Sequence, residues 1–253
     1  MTYSRGFILI ALLIWVVPAS ASGGFTNELF EAWLSMRAGG GKTSVYWYSE
    51  GLIRSFPDGK VTAKMEGFDT AHLIPDPEDP NTFYQLSRKI FLFVDPDTGK
   101  ILDRDPIAYP YQLKTYTLDG EHIVYTVESH NGRINYTLGP MRNYSVKMIG
   151  DVIWFNYAVF IPRGVGKFEN SDFFVQPEGS MTEEERYQQS WVSYGPGPTT
   201  SSAVAWRYTE FDAMPERIKT FVRERAPLWL IPPRDRVEIA QIRKNFSSTL
   251  QTE

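Results

Sequence analysis

The chain has no cysteine among its 253 residues and only three histidines. Without cysteine there can be no disulfide, no thiolate metal ligand and no cysteine nucleophile. His72, His122 and His130 lie far apart in the sequence, whereas zinc ligands commonly occur in closely spaced pairs. We therefore expect neither a metal site nor a cofactor, and we interpret the histidines as loop or surface residues.

Motifs of the common enzyme classes are also absent. The sequence has no G-x-S-x-G nucleophile elbow, no Walker phosphate loop and no G-x-G-x-x-G dinucleotide motif. The stretch "GGGKTS" at 39–44 lacks the first glycine of the Walker spacing, and we interpret it as the end of a helix. Acid–base chemistry stays open, because the carboxylates Glu50, Glu66, Asp69 and Glu128 lie on or beside predicted strands, and a pair of carboxylates suits glycoside hydrolysis. In a carbohydrate hydrolase or lyase, Glu50 or Glu66 would be the acid or base.

Runs of one charge and long apolar runs are missing as well. Lys and Arg total 26 against 30 Asp and Glu, and without a basic stripe nucleic acid is not an expected partner. The apolar run from Phe7 to Val17 is shorter than the ~20 residues that span a bilayer, so we expect no stable membrane insertion. With Arg5 before it and small residues up to Ala21 after it, this run predicts a cleaved signal peptide at 1–21. An uncleaved anchor is the alternative.

A signal peptide predicts a protein that is secreted or resides in the lumen of the secretory pathway. Residues 22–253 are long enough to bury a core without disulfides, and we expect them to form a single domain. Asn-x-Ser/Thr sequons begin at Asn135, Asn143 and Asn245, and they predict N-glycosylation at these positions.

Aromatic residues are abundant, with 14 Tyr, 16 Phe and 7 Trp. β-prone segments recur between turns rich in Gly, Pro, Asn and Asp, from 43 to about 208, without long helices between them. Helices are predicted at 24–38, where Thr26 can cap the first turn, and at 215–225 and 234–246. This order predicts a mainly β fold, an antiparallel β-barrel of calycin type with short N-terminal and C-terminal helices.

Alternation along the strands divides the aromatic residues between two faces. In "VYWYSEG", Tyr46 and Tyr48 share one face with Glu50, and Trp47 lies on the other. Such a face could line a ligand cavity, which needs apolar walls with a few polar groups. Ordinary core rings are the alternative, and a register shift of one residue exchanges the faces. The candidate substrate-binding rings are Tyr46, Trp154 and Trp206.

Two segments, "YWYSEGLIRSFPDGK" and "LSRKIFLFVDPDTGKIL", resemble a β-rich family known only as a domain of unknown function. In that family an aromatic strand ends in a glycine and a later strand ends in a "DP-x-TG" turn. The secretory start, the sequons, the lack of cysteine and the aromatic β-rich body together also resemble the fungal hetero-Diels–Alderases of tropolonic sesquiterpenoid pathways. None of the active-site residues of those enzymes is matched position by position.

The second resemblance implies a cofactor-free enzyme that joins a tropolone quinone methide to a humulene-type sesquiterpene. Its partners would be small apolar or aromatic molecules, and a homodimer is an open possibility. Under this hypothesis the hydrogen-bond donors to the tropolone oxygens would be Tyr48, Arg88, Asn156 and Tyr208. A lipocalin-like carrier without turnover and a carbohydrate-active hydrolase or lyase are the alternatives.

Overall fold

The structure of the chain is a computed structural model. It describes residues 25–41, 43–55, 57–102, 107–130, 135–136, 142–149, 152–160, 167–175, 186–194 and 199–249. The predicted signal peptide at 1–21 lies outside these residues, and the division into a signal and one domain stays a prediction. None of the described helices is both long enough and apolar enough to cross a bilayer.

The described elements are mainly strands, with a helix near the N-terminus and two helices near the C-terminus. The helices are α1 Asn27–Ala38, α2 Glu216–Arg225 and α3 Arg236–Thr249. The strands are β1 Val45–Ser55, β2 Val61–Pro75, β3 Thr82–Val94, β4 Ile107–Asp119, β5 His122–His130, β6 Asn135–Tyr136, β7 Arg142–Ile149, β8 Val152–Phe160, β9 Lys167–Val175, β10 Arg186–Tyr194 and β11 Thr199–Tyr208. The prediction of a mainly β fold with terminal helices is confirmed.

All described strands pair in antiparallel fashion in one sheet. Their order is β6-β5-β4-β3-β2-β1-β11-β10-β9-β8-β7. The six strands β5-β4-β3-β2-β1-β11 form a strongly curled half-barrel. The prediction of a closed barrel is wrong for the described residues, because β6 and β7 end the strand order and do not pair with each other.

Local turn chemistry explains why the long strands reverse where they do. Asp95 accepts hydrogen bonds from the backbone N–H groups of Asp97 and Thr98, at 3.1 and 2.7 Å. Gly99 then adopts a φ of 68°, in the left-handed region that glycine enters without a Cβ penalty. Pro-Asp-Gly at 57–59 forms a similar turn after β1, and its glycine also has a positive φ. At these two positions, the prediction that turns rich in Gly, Pro and Asp separate the strands is confirmed.

Helix α1 lies inside the curl of the sheet, on what we call the concave face. The side chain of Thr26 accepts a hydrogen bond from Leu29 N at 3.2 Å, so the predicted cap is present. Just before the helix, Phe25 stacks on Phe155 of β8 and its N–H donates to Glu121 O beside β5. Strands far apart in the sheet order can meet at Phe25 only on the inner side of a curled sheet.

The opposite, outer face is covered by the C-terminal segment. Met214, Ile218 and Val222 pack α2 and the turn before it against Phe68 and Ile90 of the sheet. Helix α3 contributes Ile239 to a second cluster with Tyr84, Leu86 and Tyr111. Both faces of the half-barrel are therefore buried over much of their area, by α1 on one side and by α2 and α3 on the other.

Candidate functional site

The catalytic and substrate-binding residues predicted from the sequence all lie on the outer face. Directly paired residues of neighbouring strands share a face, and the pairs Tyr46–Tyr208 and Tyr48–Trp206 join β1 to β11. Direct pairs continue from Trp206 through β10 and β9 to Trp154 of β8, so Trp154 shares this face. Asn156 lies two residues further along β8 and therefore shares it as well. On β3, Arg88 pairs with Thr70, which in turn pairs with Tyr46. The strands bring these side chains to one face, but they lie on four strands, β3, β1, β11 and β8, and the sheet order from β3 to β8 spans seven strands.

Four of these rings form a packed group beside α2. Tyr48 stacks on Trp206 with ring centroids 6.3 Å apart, and Trp206 is 36% exposed. Tyr46 packs edge-on against Phe211, and Tyr208 belongs to the same apolar cluster. Burial raises the pKa of Tyr48, and its 2.6 Å hydrogen bond to the Glu50 carboxylate raises it further. The Tyr48 hydroxyl therefore stays protonated at neutral pH and donates to Glu50.

Arg88 anchors the C-terminal segment rather than facing an open cleft. It is 3% exposed, and its Nε donates to Pro110 O at 3.0 Å. Its remaining nitrogens donate to Leu228 O, to Ile231 O and to the Glu238 carboxylate, the last at 2.7 Å. This buried guanidinium is therefore occupied by partners within the chain, and its catalytic role stays a prediction.

The carboxylates considered for acid–base chemistry, Glu50 and Glu66, are direct neighbours across β1 and β2. Both lie on the outer face. Glu66 is buried and ion-paired with Arg217, whose Nε donates to it at 3.0 Å, while Glu50 accepts from Tyr48. A general acid or base needs a free position facing the substrate, and the Arg217 pairing leaves Glu66 poorly suited to that work.

The other predicted residues are more scattered. Trp154 is half-buried, and Asn156 is exposed. Asn245 is exposed on α3, where its side chain accepts from Gln241 at 3.0 Å. The side chains of Asn135 in β6 and Asn143 in β7 lie outside the described part of the chain, and glycosylation at all three asparagines stays a prediction.

The concave face carries a different set of side chains, of which the sequence singled out only Asp69, as a candidate carboxylate. Below α1 its core is apolar, but toward the middle of β2, β3 and β4 it becomes polar. We call this set the polar band: Asp69, Gln85, Ser87, Lys89, Gln112 and Lys114. All of its members except Lys89 are buried. Burial of polar groups is costly unless each one is hydrogen-bonded. The cost of the polar band must therefore be offset by hydrogen bonds or by a function.

An ion pair between Asp69 and Lys89 lies at the accessible edge of the band. Lys89 Nζ lies 3.0 Å from Asp69 Oδ2, and the lysine side chain is 22% exposed. The same Nζ sits over the ring of Phe91, 5.5 Å from its centroid. Asp69 is only 6% exposed, and within the described part of the chain its second oxygen, Oδ1, has no hydrogen-bond partner.

A second acceptor of the band is also unsatisfied. Gln112 pairs with Ser87 across β3 and β4, and its Oε1 is buried without a partner among the described residues. In contrast, Gln85 accepts a 2.6 Å hydrogen bond from the Tyr116 hydroxyl. The band therefore combines satisfied groups, which fix its geometry, with acceptor oxygens that still have hydrogen-bonding capacity.

Glycines allow neighbouring groups to pack closely against the strands beside the polar band. Gly67 lies two residues before Asp69 on the same face, and a Cβ there would approach the Phe91 ring to 2.6 Å. A Cβ on Gly51 would approach the carbonyl of Ser202 to 2.7 Å and Ala203 Cβ to 2.8 Å. Glycine in mid-strand marks close approach of a ring or another backbone. Here it lets the Phe91 ring pack closely against β2.

Helix α1 is fixed over this face by polar contacts at its C-terminus. Arg207 of β11 donates to the carbonyls of Ser35 and Met36, the second at 2.9 Å. Trp47 Nε1 donates to Arg37 O at 3.1 Å. These bonds satisfy carbonyls that lack a partner at a helix end. Since Trp47 is also the direct neighbour of Asp69, the end of α1 is held next to the polar band.

The chemistry open to the concave face is hydrogen bonding and orientation within an enclosure of rings and small residues. Lys89 supplies a cationic donor, and Asp69 and Gln112 supply acceptors. A group of three or more His, Cys, Asp or Glu side chains that could hold a metal ion does not occur among the residues that the structure describes. A signal for the band was present in the sequence, because Gln85, Ser87 and Lys89 interrupt β3 at alternate positions.

Comparisons with known proteins add no assignment. Neither the scan of protein-family models nor the search of curated proteins gave a match to this chain. The resemblance to the β-rich family and to the hetero-Diels–Alderases therefore stays a prediction.

Proposed function

We propose that the chain is a cofactor-free enzyme of the secretory pathway that binds small, largely apolar molecules on the concave face of its half-barrel. The reaction is an intermolecular hetero-Diels–Alder cycloaddition between a tropolone quinone methide and a humulene-type sesquiterpene. The observation that supports this proposal most is the polar band. Hydrogen-bonding groups lie buried there beside glycines and aromatic rings, which is the composition of a small-molecule site.

Such a cycloaddition makes modest chemical demands that this face can meet. The two reactants must be held in contact with the right orientation, which contributes up to about 7–11 kcal/mol to lowering a barrier. Water must be kept away from the reactive quinone methide. Rings such as Trp47 and Phe91 supply apolar walls, in the manner of the interior of a calycin-type barrel, although this sheet is a half-barrel.

A hydrogen-bond donor that contacts the oxygen of the electron-poor reactant would speed the reaction further. Lys89 can do so from the edge of the polar band, where its ammonium group has donors left after pairing with Asp69. The corresponding donors on the outer face are used differently, since Arg88 and Tyr48 already donate to groups within the chain. We therefore place the reaction on the concave face.

The test uses the mature, glycosylated protein. An ortho-quinone methide is generated in buffer with a humulene-type alkene, and the yield and enantiomeric ratio of the adduct are compared with and without protein. The proposal predicts faster formation of one enantiomer, and Lys89→Met should reduce the rate. Equal, racemic yields would overturn it. A tightly bound small molecule recovered without turnover would then favour the carrier.

The hydrolase alternative makes a different prediction at the outer face. If Glu50 and Glu66 were acid and base, Glu50→Gln and Glu66→Gln would each abolish activity on a carbohydrate substrate. The cycloaddition proposal predicts that Glu50→Gln leaves adduct formation unchanged. A screen of chromogenic glycosides with the wild type and Glu50→Gln separates the two reaction classes.

A further inference from the structure

The unpartnered oxygen of Asp69 restricts the class of molecule that fits the concave face. Asp69 is more than nine-tenths buried, and its Oδ2 is paired with Lys89 at 3.0 Å. Its Oδ1 has no hydrogen-bond partner among the described residues. A buried acceptor without a donor carries a free-energy penalty of about 1–3 kcal/mol, and more when it is charged. A ligand that donates to this oxygen would remove the penalty.

We infer that the concave face takes a reactant bearing a free hydroxyl group, which donates to Asp69 Oδ1 and accepts from Lys89 Nζ. This inference rests on the proposed function and names the substrate class of the same site. A hydroxyl carries one donor and two acceptor lone pairs. It can therefore bridge both members of an ion pair whose polar atoms already lie 3.0 Å apart.

Other donors fit this position less well. An ammonium group would donate to Asp69 but would be repelled by the adjacent Lys89 cation. An amide N–H would donate to Asp69, but the same nitrogen cannot accept from Lys89. An ether or a ketone accepts from Lys89 and leaves Asp69 Oδ1 without a donor. An alcohol, a phenol or an enol satisfies both partners with one atom.

The surroundings of the ion pair indicate that the hydroxyl belongs to an unsaturated or aromatic molecule. Phe91 lies beside the pair, with its ring 5.5 Å from Lys89 Nζ, and Trp47 is the cross-strand neighbour of Asp69. Gly67 lets the Phe91 ring pack directly against β2, since a Cβ at Gly67 would approach the ring to 2.6 Å. Flat molecules stack well on such rings, so a phenol or a cyclic enol meets both the polar and the apolar demands.

Asp69 has a matched control on the same strand. Thr70 is the next residue, is fully buried, and also has an unpartnered oxygen among the described residues. Successive residues of a strand point to opposite faces, so Thr70 lies on the outer face. The substitution Thr70→Val removes its hydroxyl with little change of shape, and Asp69→Asn does the same for the carboxylate charge.

The experiment measures the affinity of the mature protein for 2-naphthol and for 2-methoxynaphthalene by fluorescence titration. In the second probe a methyl group replaces the donor hydrogen of the hydroxyl. We expect the wild type to bind 2-naphthol at least about tenfold more tightly, as a hydrogen bond to a charged acceptor allows. Asp69→Asn should lose most of this preference, and Thr70→Val should keep it.

The outcomes separate this inference from the proposed function. Binding of both probes with equal affinity by the wild type overturns the inference, while single-enantiomer cycloaddition in the adduct assay would leave the proposed function standing. Binding of neither probe, with racemic adduct, overturns both. A preference for 2-naphthol that survives in Asp69→Asn overturns the assignment of Asp69. The wild-type comparison needs no variant, so a variant that fails to fold does not prevent the test.

Discussion

The outer and concave faces of the half-barrel both bury charged side chains, but they satisfy them differently. On the outer face, the guanidinium of Arg88 binds three carbonyls and a carboxylate, and Glu66 is paired with Arg217. On the concave face, Asp69 is paired with Lys89 and keeps one oxygen without a partner in the described residues. A fully satisfied buried charge holds a fold together, whereas an incompletely satisfied one is suited to binding a ligand.

The largest expected effect is the loss of the Arg88 anchor. Arg88→Met removes the cation that holds Leu228, Ile231 and Glu238, and we expect the free energy of unfolding to fall by about 3–5 kcal/mol. Urea denaturation followed by circular dichroism measures this change. Arg223→Met is the control, since its pair with Asp212 is exposed on both sides and such pairs contribute about 1 kcal/mol or less. Similar losses in both variants would contradict the contrast.

Gly67 tests the packing of the concave face. In Gly67→Ala the new Cβ would approach the Phe91 ring to 2.6 Å, and overpacking of this kind costs about 1–3 kcal/mol. We also expect weaker binding of 2-naphthol, because the displaced ring lies beside Lys89. Gly120→Ala, at a turn with φ of 59° and open space, should cost about 1–2 kcal/mol and leave binding unchanged. Undiminished binding by Gly67→Ala would argue against a ligand near Phe91.

Acidification should weaken the outer face through His72. Burial lowers the pKa of His72, while hydrogen bonding to Pro233 O and the charges of Asp235 and Glu238 partly oppose this. The folded protein therefore prefers neutral His72. The free energy of unfolding is highest above about pH 6.5 and falls as the pH drops below this value. The slope for one such group is at most about 1.4 kcal/mol per pH unit.

The measurement is the free energy of unfolding of the wild type and His72→Gln between pH 7.5 and about pH 5.5, the range around the ordinary histidine pKa. His72→Gln should flatten the fall of the free energy of unfolding with decreasing pH. An unchanged slope in His72→Gln would show that the contact between β2 and the segment near Pro233 does not respond to this proton.

The smallest expected effect on stability belongs to Asp69. Asp69→Asn keeps the shape of the side chain, and Lys89 is exposed enough to regain water. We expect the free energy of unfolding to change by about 1 kcal/mol or less, although the hydroxyl preference in ligand binding is lost. A loss as large as that of Arg88→Met would mean that Asp69 serves the fold and not a ligand.

Much of the architecture could be predicted from the sequence, because it depends on local signals. Thr26 and the glycines at 39–41 bound α1 as expected, and β3 spans Thr82–Val94 as its pattern indicates. Closure of the sheet is not a local property. It depends on strand tilt, stagger and pairing across the whole sheet, so the half-barrel could not be distinguished from a closed barrel.

The choice of face was the main step that the sequence could not decide. Alternation correctly separates Tyr48 from Trp47, but the two faces of β1 carry similar aromatic content. The outer face became a packing surface only because α2, far along the chain, covers it, and Arg88 found its partners at positions 228, 231 and 238. Contacts between residues so far apart in the chain produce no periodic pattern in the sequence.

The most direct test of the central claim locates a bound ligand by photo-cross-linking. A 2-naphthol derivative that carries a diazirine is irradiated with the mature protein, and the labelled residues are identified by mass spectrometry. The account predicts labels on the concave face, at residues such as Trp47, Phe91 and Lys89, and competition by unlabelled 2-naphthol. Labels confined to Tyr46, Tyr208 and α2 would contradict it and return the site to the outer face.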